Sequence, residues 1–315
     1  MSLRKLRVWL SKADPVVQHL HYWYRVFAGA LKNAAEAKAY IHAAALAFFT
    51  MFSIAPVMIV AVTLTGVVLG ESAAEGRLLA QLSEMIGFEA AQFVEGAVLS
   101  AQLDRGGWIP TAIGVVAIMV GATTVFAQMQ QSLNVIWGVV PRPSRNSALV
   151  VFKSRLLSLT MVLSIGFLLL MSLFLSVGVQ AVLTFADQWL PMGSLAVVWL
   201  EFIGSVAIIM LLFATIYKVL PYVRLTWGDV MLGGLVAAIL FVLGRYIMAR
   251  YLANTAIGSM YGAAGSLVLF LVWVHFSSLS LLFGAAVARS YMQVRGRPLR
   301  PRANALLVRR ELIDD

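Results

Sequence analysis

The feature that most constrains this chain is the length of the gaps between its charged residues. Ala43–Gly70, Gly106–Pro141, Leu156–Ala186 and Tyr251–Ala288 contain no Asp, Glu, Lys or Arg. Each is long enough to cross the hydrocarbon core of a bilayer, which takes about 20 apolar residues. Two shorter gaps, Phe202–Tyr217 and Val230–Gly244, become spans once a charge near one end is allowed to sit at the interface. Only 12% of the 315 residues are charged, against roughly 25% in a soluble domain. The pattern predicts an all-α polytopic membrane protein with six spans, near 43–69, 107–126, 156–182, 197–217, 229–250 and 265–288.

The basic residues set the orientation, because Lys- and Arg-rich connections stay in the cytoplasm. Twenty of the 24 lie before span one, between spans two and three, after span four, and in the tail. Four lie in the intervening connections: Arg77, Arg105, Arg245 and Arg250. That asymmetry puts both termini in the cytoplasm. It also accounts for the net charge of +10 as a topology signal with attraction to anionic lipid headgroups, with no nucleic-acid partner. Residues 1–42 form a basic region, read either as a helix on the inner membrane surface or as a plain cytoplasmic lead-in. Its mixed polar segment after Arg4, Lys5, Arg7 and Lys12 is not that of a secretory signal. Residues 43–288 make the membrane domain, 71–105 an outer helical cap, and 289–315 a basic cytoplasmic tail.

Gly106–Pro141 exceeds one straight crossing, so its polar second half is expected to run on as a helix at the cytoplasmic interface, stopped by Pro141 and Pro143. Tyr251–Gly265, rich in Gly, Ala and Ser, reads as a loop or re-entrant element. With no cysteine, disulfides and thiolate metal sites are excluded.

Four histidines, His19, His21, His42 and His275, form no ligand cluster, and the acids gather on the outer side. No Gly-x-Ser-x-Gly, phosphate-binding lysine loop or dinucleotide fingerprint occurs. The chain is therefore expected to be no enzyme, with no cofactor and no metal. Polar residues in the spans are the better lead, because each is costly there without a partner or water. Thr123, Ala127, Gln130, Asn134 and Trp137 share one helix face, which either lines a cytoplasmic vestibule or packs at the interface. Ser172, Ser176, Gln180 and Thr184 recur one turn apart. Pro56, beside Thr50 and Ser53, is expected to kink span one and open a polar pocket. Arg245 and Arg250 lie on the outer side, against the charge bias, and are candidates for an anionic substrate or lipid, or for pairing with outer acids. His275 is a candidate for proton transfer or an interhelical contact. Gly66 with Gly70, and Ser277, Ser280, Gly284 and Ala288, suit close helix packing or a homo-oligomer.

Several stretches also carry a resemblance. Ala45-Leu46-Ala47-Phe48-Phe49 with Ser53 and Pro56 resembles the opening motif of the YihY/BrkB family of bacterial inner-membrane proteins. Gly121-Ala122-Thr123 with Phe126, Leu133-Asn134-Val135-Ile136-Trp137-Gly138, and Tyr217-Lys218-Val219-Leu220-Pro221 with Trp227 and Gly233 extend it. Tyr261-Gly262-Ala263-Ala264-Gly265 is its most specific stretch. The resemblance covers about 40–290. It implies six helices, a role in envelope integrity and serum resistance, and transport; an older ribonuclease label for the family is regarded as misassigned. It adds Tyr217, Pro221 and Tyr261 to the candidate residues. One position departs: after Gly284-Ala285 the family commonly has Glu, and here stands Ala286. The leading expectation is a transporter or flippase-like permease for an amphipathic or anionic envelope solute or lipid; a non-transporting envelope scaffold stands second, and a membrane-bound hydrolase last.

Overall fold

The computed structural model describes residues 15–69, 108–142, 194–254 and 265–308, with isolated residues between 83 and 96. The expected third span, most of the outer cap and Tyr261 lie outside the described residues. Six long helices account for nearly all the rest: α1 Pro15–Glu36, α2 Ala39–Leu69, α3 Trp108–Trp137, α4 Ser194–Val219, α5 Trp227–Asn254 and α6 Gly265–Val294. Two three-residue strands, β1 Val139–Pro141 and β2 Ala305–Leu307, complete the order.

The helix boundaries follow from local chemistry. Lys38, at φ 51°, takes the left-handed conformation that ends α1, and the axis turns by 62° into α2. Helix α2 then runs unbroken through Pro56. Helix α3 continues to Trp137 as a single helix, as expected of a span extended into the interface. It stops at Gly138, whose φ of 66° suits glycine. A Cβ there would also press on the Arg289 guanidinium at 3.3 Å. At the start of α5, Asp229 accepts hydrogen bonds from the Thr226 amide at 3.0 Å and the Thr226 hydroxyl at 2.5 Å, securing the first turn. Helix α6 closes with Gly296 at φ 68°, the Gly296 amide on Gln293 O and the Arg297 amide on Met292 O, each at 3.0 Å. This is the paired-bond glycine stop that satisfies the last carbonyls of a helix.

Helix α6 is the hub: α5, α1, α2 and α3 all pack on it, while α4 packs on α5 and α3 on α2. The α5–α6 seam is made of small residues. A Cβ on Gly284 would stand 2.6 Å from Gly233 O and 2.7 Å from Ala237 Cβ, so the two backbones touch only because neither position has a side chain. The small-residue stripe of α6 is thus occupied within the chain. Ala286 is fully buried in the same helix.

One end of the bundle is knitted together. Strand β1, leaving α3, pairs antiparallel with β2 of the tail, Val139 opposite Leu307 and Pro141 opposite Ala305. Val223, just after α4, bridges Pro301. The beginnings of α2 and α5 meet this end too, through the His42–Ser132 contact at 3.3 Å and the Arg297–Asp229 ion pair at 2.6 Å.

Candidate functional site

Two regions gather the candidate residues. The first is a buried polar layer at the knitted end. Gln130 donates to Leu220 O at 2.8 Å, and Asn134 Oδ1 accepts from the Tyr222 amide at 2.9 Å. These two amides hold the short connector after α4, where Pro221 ends the helix and is itself buried. Tyr217, fully buried, donates its hydroxyl to Leu281 O at 2.7 Å. Trp137 is also fully buried, and its Nε1 meets no acceptor among the described residues. Arg289 reaches back to Ile136 O at 2.5 Å, and Arg302 caps the end of α4 on Lys218 O at 3.3 Å and Val219 O at 3.0 Å.

This layer brings together Gln130, Asn134, Trp137, Tyr217 and Pro221, with Thr123 buried two turns earlier on α3. Each of the two amides makes a bond to the main chain of the connector, so Gln130 and Asn134 of the α3 stripe pack against it. Ser53 is buried and Thr50 half-buried on α2, away from that layer in sequence. His275 is half-buried midway along α6. Among the described residues no three His, Asp or Glu side chains converge as a metal site would need.

The second region lies toward the other end. Antiparallel α4 and α5 leave a groove of about 400 Å³ between them, within the roughly 300–1,000 Å³ typical of ligand pockets. Phe202, Val206 and Met210 of α4 face Ile239, Val242 and Tyr246 of α5 across it. Arg245 is exposed and lies outside the groove lining, its guanidinium 5.5 Å from the ring centroid of Tyr246, which does line the groove. At 1.5 Å per residue Arg245 stands about 27 Å along α5 from Trp227, close to the full depth of the hydrocarbon. Arg250, exposed, follows just over a turn later.

The sequence missed three residues and one groove. Asp229 was detectable, since Thr226-x-x-Asp229 before an apolar run has the spacing of a helix start. The partnerships of Arg297 and Arg302 depend on the path of the tail, which no local pattern specifies. The groove itself is a gap between two helices, invisible in either alone.

Long apolar helices packed around a small-residue seam define a multi-span helical membrane protein. Among the described residues three helices are long and apolar enough to cross a bilayer, or four if α1 and the start of α2 count as one bent span. The family model for the virulence factor BrkB matches residues 30–306, and the chain belongs to that family. It is 32% identical over 191 residues to a UPF0761 membrane protein of Ralstonia nicotianae, covering 59% of this chain and 40% of that one. It is 26% identical over 253 residues to one of Mannheimia succiniciproducens, covering 77% and 81%. A Stenotrophomonas maltophilia relative is 26% identical over 314 residues, covering 94% of this chain and 67% of its own. The chain thus spans less than half the length of the Ralstonia relative. No solved structure matches it.

Proposed function

We propose that this protein is a flippase-like permease of the bacterial cytoplasmic membrane, acting on an amphiphile with an anionic head. The observation that carries the reading is the α4–α5 groove, whose lining residue Tyr246 has the exposed Arg245 guanidinium 5.5 Å from its ring. The lining residues are apolar apart from the Tyr246 hydroxyl, which suits a hydrocarbon chain and not a polar solute. The guanidinium near Tyr246 supplies a fork of donors matched to phosphate or carboxylate oxygens. It also runs against the rule that keeps arginine on the cytoplasmic side, a cost consistent with use. No catalytic step is part of this reading. Anionic lipids are the partners it requires, and no nucleic acid enters it.

The test is reconstitution into vesicles carrying phosphatidylglycerol with a fluorescent head group, followed by chemical quenching from outside. The protein is expected to speed the transfer of label between leaflets, and Arg245→Ala to slow it about tenfold, the equivalent of 1.4 kcal/mol, with unchanged insertion. A variant as fast as the original chain removes Arg245 from the mechanism. A second reading, an envelope scaffold that holds lipid without moving it, draws on the closed α5–α6 seam. It predicts phosphatidylglycerol retained through purification, lost on Arg245→Ala, with no transfer in vesicles.

A further inference from the structure

We propose that α1 is a membrane-surface helix whose outer stripe is immersed at the edge of the cytoplasmic leaflet, its partner being bilayer lipid. Three sectors of the helix carry the inference. Val26, Ala30 and Asn33 are buried against α6, where Asn33 donates to Gln293 at 3.1 Å. Arg25, Lys32 and Glu36 form an exposed charged sector, with Lys32 and Glu36 paired at 3.8 Å. The third sector is apolar and uncovered: Val16 is 67% exposed, Leu20 65%, Tyr24 70%, Phe27 40% and Leu31 62%. At 100° per residue, the three sectors centre on bearings roughly 110–140° apart. A cytoplasmic lead-in helix needs one apolar face, toward the protein. This helix has two, with the charged sector between them on one side, which is the requirement of a helix that meets protein, hydrocarbon and water at once.

The direction of the axis agrees. Membrane-crossing helices tilt on average about 20° from the normal, so a bend of 62° between α1 and α2 leaves α1 roughly 40–80° from it. The exposed apolar surface also resumes at Tyr40 and Ile41 and continues at Phe48 and Phe52 on the first turns of α2. Lipid therefore covers α1 as it covers the entry of α2, and Arg25 and Lys32 stand at headgroup level, where anionic lipid favours them.

The absence of cysteine from the chain makes the experiment direct. Single cysteines at Leu20, Tyr24, Leu31, Arg25 and Lys32 are labelled with bimane in the full-length protein, in vesicles of phosphatidylethanolamine and phosphatidylglycerol. Labels on the first three positions are expected to be quenched by shallow doxyl lipids and several-fold less by iodide than the label at Lys32. Iodide quenching of the stripe equal to that at Lys32 overturns the proposal, and so does protection from both quenchers, which would mean a protein cover such as a second copy. Should a label disturb folding, a photoactivatable phosphatidylglycerol is cross-linked to the unmodified chain. Adducts on the peptide containing residues 16–31 are expected; adducts on α2 with none on that peptide overturn it.

Discussion

At the scale of single residues, the polar groups of the knitted end do structural work that composition alone would not reveal. The Tyr217 hydroxyl is buried, and its acceptor, Leu281 O, lies within α6. Replacing Tyr217 with Phe keeps the ring and removes one intramolecular bond, so the expected loss is about 1 kcal/mol. It is read as a small fall in the thermal transition of detergent-solubilised protein; a loss several times larger would mean that the hydroxyl holds more than the Leu281 carbonyl. The helical spacing of Gln130 and Asn134 marked them as one face. It could not show what that face met, because Leu220 and Tyr222 stand far along the chain. Ala286 teaches the converse. Its methyl fills a fully buried position, where a carboxylate would be costly without a partner, and the chain has no titratable group there with which to couple an ion.

At the scale of elements, the spans were legible because hydrocarbon imposes a single crude condition, freedom from charge over sufficient length. Five of the six expected segments coincide with long described helices, α2 to α6, of which α4, α5 and α6 are each long and apolar enough to cross a bilayer, whereas the third lies outside the described residues. What was not legible was the choice of seams. The Ser277-to-Ala288 stripe fits an internal or an external partner equally well by sequence, and only the structure shows Gly233 and Ala237 of the same chain opposite Gly284. The seam sets a prediction. Gly284→Ala puts a methyl against Gly233 O and Ala237 Cβ, at 2.6 and 2.7 Å, both too near to absorb without moving a backbone. The expected cost is about 1–3 kcal/mol, the range for overpacking, seen as a lowered thermal transition. Gly228→Ala, where a Cβ meets nothing within 4 Å, serves as the control in the first turn of α5. Equal behaviour of the two variants would show that the α5–α6 contact is looser than described.

At the scale of the whole molecule, the knitted end turns a charge count into a geometric statement. The positive-inside rule assigned the connections after α3 and α4 and the tail to one side without saying that they touch. They do: Arg142 N bonds Asn304 O at 2.8 Å, Arg224 N bonds Arg300 O at 2.9 Å, and Val308 N bonds Gly138 O at 2.9 Å. Three connections hydrogen-bonded to one another cannot lie on opposite faces of a bilayer, so their sidedness is a single unknown. The basic residues then predict the cytoplasmic side for all of them together, because translocating any one of these segments would require translocating them all, arginines included. Ala303 is exposed in the tail and Glu95 is exposed in the acidic segment ahead of α3. Cysteine introduced at Glu95 is expected to react with a membrane-impermeant maleimide in intact spheroplasts, whereas cysteine at Ala303 should react only after lysis. Labelling of the Ala303 variant before lysis would reverse the whole arrangement at once, putting the groove and Arg245 on the cytoplasmic side with α1 outside, since the hydrogen bonds leave no intermediate topology.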